Sequence, residues 1–368
     1  MKPVLFVFTI LLTSILISCA PLSMPVASAP TFTLTLPPSE TSTAEPTATS
    51  TAVPTKTPII NRTTQGTLER NETWKGEILI TGDIVIPRGI TLTIKPGTII
   101  RFTGQKDNSP IYDPNAYIDT ADYQSFPNDP PRIQSNMIGI YIDGSMIANG
   151  TPENPIVFTS NREFPELNDW HTIEILSNGN ISLSYAIVEY NYHGVDIADA
   201  RKPNSPNIEI HNNLFQHIAG CCVCTGGGAS IFEEITIEKN VFTDCNHEGI
   251  DTYKDQNLVI RNNLFEDNYV GVVVNDGSTI KIESNIFREN RWAAIGIWNG
   301  KNGSSPEIHL NNFINNQVHI RINNSNSTVD ASNNYWGSEN PRVFTGKGLV
   351  LFRPFSNTPF DIPVPMIP

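Results

Sequence analysis

Ile208-Glu209-Ile210-His211-Asn212-Asn213-Leu214-Phe215, Ile235-Thr236-Ile237-Glu238-Lys239-Asn240-Val241-Phe242 and Leu258-Val259-Ile260-Arg261-Asn262-Asn263-Leu264-Phe265 are one phrase written three times. Its skeleton is an aliphatic residue, two others, Asn, one other, then Phe. It returns at Ile282-Asn285-Phe287 and Ile308-Asn311-Phe313, with a worn last copy at Asn333-Asn334-Tyr335. Counted to Asn333, the Asn-to-Asn steps are 27, 23, 22, 26 and 22 residues. A fixed period of this length marks a solenoid, one repeat per coil. No long helix fits in so short a unit, and no long stretch shows helical periodicity. Short strands joined by tight turns do fit.

The repeat then assigns roles. Recurring Asn side chains stacked between coils can donate and accept along the stack, which satisfies buried turn groups. Recurring Phe side chains form an interior stack. A second Asn column follows at Asn268, Asn290 and Asn316, with Cys245 in that slot one coil earlier. Strand alternation points Ile208, Ile210, Ile235, Ile237, Ile280 and Ile282 inward. It leaves His211, Glu238, Arg261, Glu283 and His309 outward, with Arg261 flanked by two glutamates as a surface ion-pair ladder.

Outward from the repeats, the chain changes character. The 368 residues carry a formal net charge of -13. That balance argues against nucleic acid as a partner, because phosphate binding needs a basic patch. Hydrophobic residues reach 39%, enough for a core, while charged residues are only 17%. At the N-terminus Lys2 precedes an apolar run from Val4 to Ile17, too short to span a bilayer comfortably. The run ends in Leu16-Ile17-Ser18-Cys19, which resembles the lipobox of bacterial lipoproteins. The expectation is a lipoprotein signal peptide over 1–18 and a lipidated Cys19, so the membrane is reached only through a lipid anchor. Residues 19–60 are rich in Pro, Thr, Ser and Ala and read as a disordered linker. The repeat domain is expected over 61–355, with an acidic, Tyr-rich insert loop at 104–136 and a tail at 356–368. The insert reads as a solvated loop, with a calcium loop or an aromatic flap as alternatives.

With the repeats in view, the sequence resembles the pectate-lyase-like right-handed parallel β-helix superfamily, in its generic bacterial form. Besides the repeat, Leu92-Thr93-Ile94-Lys95-Pro96-Gly97-Thr98 looks like its first coil. Ala148-Asn149-Gly150-Thr151, followed by Pro155-Ile156-Val157-Phe158-Thr159-Ser160, looks like a common internal coil, and Asn333-Asn334-Tyr335-Trp336-Gly337 looks like its closing motif. The resemblance covers about residues 74–355 and implies an all-β solenoid. It says little about activity, since one scaffold hosts many functions. The Trp-x-Gly-Ile step common in the superfamily reads Trp170-His171-Thr172-Ile173 here. The distinctive polygalacturonase-like and pectate-lyase-like catalytic patterns are missing.

Candidate chemistry gathers on the strand after the Phe. Val195, Ile197, Ile250, Thr252, Val272, Val274, Ile295, Ile297, Ile320 and Ile322 alternate inward. Outward fall Asp196, Asp251, Val273, Gly296 and Arg321, and beside them Ala198, Tyr253, Asn275, Trp298 and Asn323. His193, His247 and Glu248 lie at the turn leading into this strand. Asp196 and Asp251 are two coils apart, about 9.6 Å at the backbone. Carboxylates separated by roughly 6.5–9.5 Å suit inverting glycoside hydrolysis. The catalytic candidates are therefore Asp196, Asp251, Glu248, His247 and His193. Tyr253, Trp298, Asn275 and Arg321 are the substrate-binding candidates, the aromatics as platforms for sugar rings. The competing reading of every one is solvated surface chemistry. Cys222, Cys224, Cys245 and His247 form a weak metal candidate, set against a disulfide to Cys245 or buried thiols. No cofactor is firm, and calcium is carried forward as the one to test. The expectation is a monomer that binds a polysaccharide or cell-surface glycan along its flank. Cleavage by a hydrolase or lyase, and a non-catalytic scaffold or adhesion module, are the alternatives.

Overall fold

A computed structural model describes residues 60–104, 137–176, 178–197, 207–225, 235–253, 257–275, 277–298, 304–323 and 326–367. All belong to one compact unit, Lys56–Pro368. Cys19, the linker to residue 59, Ala198 and nearly all of the 104–136 insert lie outside the described residues. Among the described residues every element is a strand or a turn.

The chain winds as a right-handed parallel β-helix. One coil runs Leu258–Arg261, Leu264–Glu266 and Val270–Asn275, and the next runs Lys281–Glu283, Ile286–Arg288 and Ala293–Trp298. Each strand pairs in parallel with its counterpart in the next coil, so three parallel sheets follow the axis. The first coils are plainer. A single long strand, Glu77–Ile86, serves two sheets, pairing with Ile99–Phe102 through its first half and with Ile140–Ile142 through its second.

The bends explain the repeat. Asn212, Lys239, Asn262, Ser284, Leu310 and Asn333 all hold positive φ, between 55° and 59°. Each reverses the chain so that the next residue turns inside. Those next residues are Asn213, Asn240, Asn263, Asn285, Asn311 and Asn334, all fully buried. Each Asn Oδ1 from Asn240 on accepts the backbone N–H of the Asn one coil earlier, at 2.8–3.0 Å, and Asn213 Oδ1 accepts that of Ala186 at 3.0 Å. Each Nδ2 donates to a carbonyl of the preceding coil, as Asn263 does to Ile237 O at 2.9 Å. The second bend repeats the device. Asp244, Asp267, Glu289 and Asn315 hold positive φ. Cys245, Asn268, Asn290 and Asn316 follow them in the second ladder.

The last copy is read one residue off by the sequence. Asn334, not Asn333, enters the ladder, and Trp336 takes the Phe slot. Asn333 is the bend residue, with φ 58°. The interior stack then runs Phe215, Phe242, Phe265, Phe287, Phe313 and Trp336, with ring centroids 4.4–5.2 Å apart. Trp170 stacks on Phe102 at 4.0 Å and extends aromatic filling to the first coils. The Trp170-His171 departure from the usual step thus keeps its indole in the core.

The outward row of the first sheet is in the expected register, His211–Glu238–Arg261–Glu283–His309. Arg261 forms its ion pair with Glu238, at 2.8 Å. Being exposed, that pair contributes less than about 1 kcal/mol. A larger surface effect lies at Leu310, which is 43% exposed and pays for φ 58° with no compensating local bond. A β-carbon in this region costs about 1–2 kcal/mol, less for Asn. Leu310→Asn, the residue found at this bend in other coils, should raise stability by about 1 kcal/mol. Its chemical-denaturation midpoint checks this, and a lowered midpoint would refute it.

The tail does not hang free. Phe360 N–H donates to Asn312 Oδ1 at 2.9 Å, and Asn312 Nδ2 donates to Phe360 O at 2.9 Å. Asn212 Nδ2 reaches Met366 O at 3.3 Å. Ile362, between these points, and Ile367, just after them, cover an outer apolar row of Val241, Leu264 and Ile286. The tail therefore runs as a strap across the coils.

Candidate functional site

The third sheet carries the site. Its outward row is one continuous register, Tyr141–Glu174–Asp196–Cys224–Asp251–Val273–Gly296–Arg321. The inward neighbours Val195, Ile250, Val272, Ile295 and Ile320 are fully buried, which fixes the outward direction of the row. Alongside runs the row Tyr253–Asn275–Trp298. Gly249 and Gly271 are the second residues of the strands Glu248–Tyr253 and Val270–Asn275, where an added Cβ would strike the next coil's backbone carbonyl at 2.6 and 2.5 Å. Only Gly lets the coils close up there.

Two chemically distinct ends result. At one end, His193 Nδ1 lies 3.3 Å from Asp196 Oδ2. The His193 ring stacks on Tyr192 at 4.3 Å, and Tyr192 lies over His171 at 6.2 Å. Tyr141 Oη is 3.3 Å from His171 Nδ1. Desolvation, then the neighbouring His193, pushes the His171 imidazole down to about 4. His171 is thus held neutral through the mildly acidic range. At the other end is an aromatic platform. Tyr269 and Trp292 stack at 5.9 Å, and Trp292 and Trp298 meet at 5.6 Å. The Arg321 guanidinium lies over Trp292 at 4.1 Å and Phe344 at 4.8 Å. Desolvation lowers its pKa, the expected result of seating a cation among rings.

The predicted residues sort as follows. Asp196 and Asp251 share the outward row, two coils apart, with Cys224 between them. Asn275 Nδ2 donates to Asp251 Oδ1 at 2.8 Å and orients it. Tyr253 is exposed and Trp298 half-buried, two coils apart in the second row. His247 and Glu248 are buried and bonded to each other at 2.6 Å, so this pair sits below the strip.

The metal set needs correction. Cys222 is joined to Cys245, and Cys221 to Cys224. The sulfurs of Cys222, Cys224 and Cys245 are therefore spent on two disulfides, and they do not form a site with His247. The bridge to Cys245 is the one anticipated; the bridge between Cys221 and Cys224 is not. Sequence reasoning also missed Tyr141, His171, Glu174 and the Trp292 platform. The alternation Ile173-Glu174-Ile175 could have placed Glu174, but its coil lacks the Asn-x-Phe phrase that sets register. No calcium-binding arrangement can be judged for the insert, whose residues lie outside those described.

A parallel solenoid that carries an acid end and an aromatic end on one sheet defines a class of β-helix repeat protein. Residues 61–201 match the family described as a pectate-lyase like beta helix domain, and residues 202–340 match a right handed beta helix region. The chain belongs to the pectate-lyase-like right-handed β-helix superfamily. No curated protein matches it. Among solved structures it is similar to the periplasmic alginate epimerase AlgG, at 12% identity and TM-score 0.31, over 76% of this chain and 70% of that one. A point mutant of the same epimerase matches at 12% identity and TM-score 0.34, over 75% and 71%.

Proposed function

We propose that this chain is an extracytoplasmic, lipid-anchored protein that binds an extended polysaccharide along the third-sheet flank. The observation that carries the reading is the paired outward rows. Asp196, Asp251 and Arg321 line one, and Tyr253, Asn275 and Trp298 the other, in unbroken coil-to-coil register. Tyr253 and Trp298 are about 9.6 Å apart along the axis, two rungs of the sheet. Flat apolar ring faces at such intervals match alternate sugars of an extended chain, while carboxylate and amide groups accept and donate to hydroxyls. Two disulfides support an oxidising compartment, in keeping with lipidation at Cys19. The net charge of -13 favours a neutral glycan over a polyanion.

The test is retention of the full-length protein on a panel of immobilised neutral and acidic polysaccharides. Trp298→Ala should weaken binding about tenfold, equivalent to ~1.4 kcal/mol. Asp251→Asn should change it far less. Equal retention of both variants on every glycan retained by the parent would refute the reading, as would retention of the parent on none.

A second reading is cleavage, by a hydrolase or lyase. It is favoured by one observation, the Asp196 and Asp251 carboxylates in one row with His193 on Asp196. Turnover that Asp251→Asn abolishes, with binding intact, would establish it.

A further inference from the structure

The two disulfides are built differently. Cys222 and Cys245 are fully buried and join neighbouring coils across a sequence separation of 23. Cys245 also holds a place in the second ladder, so that bridge belongs to the interior. Cys221 and Cys224 are separated by only 3 residues and close the smallest of loops. Cys224 lies in the outward row, between Asp196 and Asp251. By loop closure alone, the short bridge constrains the unfolded chain least, so opening it costs the fold least.

A third donor faces this pair. One ligand atom from each of His193, Cys221 and Cys224 falls within 4.8 Å of the other two. The ring is already oriented. Its Nδ1 is turned to Asp196 at 3.3 Å. Its other edge lies over Gly220, where a Cβ would come within 2.6 Å of Cδ2 and 3.0 Å of Nε2. Gly220 thus makes room for the imidazole beside Cys221. A carboxylate on one nitrogen, with the other directed to soft donors, is the outer-shell arrangement of metal-binding histidines. Tyr192, stacked on the ring, holds its plane.

We propose that Cys221 and Cys224 form a reducible bridge which, once opened, binds a thiophilic d¹⁰ cation through both sulfurs and His193, with Asp196 as the orienting partner. The step balances. An external dithiol attacks the bridge through its thiolate, passes two electrons to it and leaves as its own disulfide, giving two thiols here. Metal binding then displaces the two thiol protons. Two thiolates and an imidazole are a donor set for zinc-like ions, with a fourth position left to solvent. Because Cys224 lies within the glycan strip, the oxidised and metal-loaded forms present different surfaces between Asp196 and Asp251.

The experiment uses the full-length protein, treated with a graded dithiol and then freed of it under anaerobic conditions. Alkylation and mass spectrometry should find Cys221 and Cys224 labelled before Cys222 and Cys245, with the circular dichroism unchanged. Zn²⁺ should then bind one per chain in competition with a chromogenic chelator, and Co²⁺ should give thiolate-to-cobalt charge-transfer absorption. The oxidised protein should take up neither ion. His193→Ala should weaken Zn²⁺ binding at least tenfold, and Asp196→Asn about tenfold, within the range of outer-shell losses. Cys221→Ser with Cys224→Ser should abolish the absorption, while Cys222→Ala with Cys245→Ala should retain it. Binding that survives loss of Cys221 and Cys224, reduction of the interior bridge first, or unfolding when the short bridge opens would each overturn the proposal.

Discussion

Asn263→Leu should lower unfolding stability by about 2 kcal/mol, measured by urea titration, although the substitute is apolar and similar in size. Asn263 is fully buried and lies mid-ladder. Its Oδ1 accepts from Asn240 N at 2.9 Å and from Asn240 Nδ2 at 3.2 Å. Its Nδ2 donates to Ile237 O at 2.9 Å and to Asn285 Oδ1 at 3.1 Å. Leucine strands the Asn240 N–H and the Ile237 carbonyl away from water, while the Asn240 amide keeps Ile210 O and Glu238 O as acceptors. Each buried orphan costs about 1–3 kcal/mol. The transfer gain of leucine offsets only part of this, about 1.5–3 kcal/mol at most. Arg261→Ala, on the exposed face of the same coil, should cost less than about 1 kcal/mol. A similar cost for both variants would mean that the ladder is incidental and the Phe stack alone sets the coil.

The second large effect is with pH. Stability should fall between pH 6.5 and about 4, before most carboxylates protonate. Desolvation is the leading cause that pushes both His171 and His319 down to about 4 from 6.5. His193 adds to the effect at His171, and Arg342 at His319. His319 is wedged against Trp336 at 5.7 Å, and its Nδ1 accepts the Arg342 N–H at 3.2 Å, which requires the neutral ring. Above pH 6.5 neither state binds the proton. Below it the unfolded chain does and the folded chain refuses, so stability rises with pH across the window and is lost on acidification. A shift of this size is worth on the order of 3 kcal/mol for each ring. Urea midpoints at about pH 7 and about pH 4.5 measure the slope. His319→Gln should flatten it by about half. An unchanged slope in that variant would remove His319 from the account.

What the sequence made legible follows from how strongly each feature repeats. From residue 208 onward the Asn and Phe columns recur coil after coil, so their burial, the in-out alternation and the register of Asp251, Val273, Gly296 and Arg321 are legible in the sequence. Where the phrase wears out, reading fails. Asn333 and Asn334 are adjacent and chemically identical, and only the bend geometry decides which turns inward. The coils before residue 208 lack the phrase, so Tyr141, His171 and Glu174 are not placed on the strip by sequence, though pairing puts Tyr141 and Glu174 in its row. The cysteines cluster in sequence, but pairing depends on which face each strand position takes. Cys222 points in and Cys224 points out, and that separates their partners. The Trp292 platform joins turn residues of successive coils, a column that no strand alternation marks.

The tail strap changes how such a molecule can come apart. A stack whose units touch only their neighbours can unzip from its end, one coil at a time. Here Phe360 is bonded at Asn312 and Met366 at Asn212, four coils further back. The strap is thus stitched to coils well before it in the chain. Peeling the terminal coil must first tear out that stitch and bare Val241, Leu264 and Ile286 to water. The fraying end is tied to the middle, and a modular array acquires the all-or-none melting of a single knot of structure.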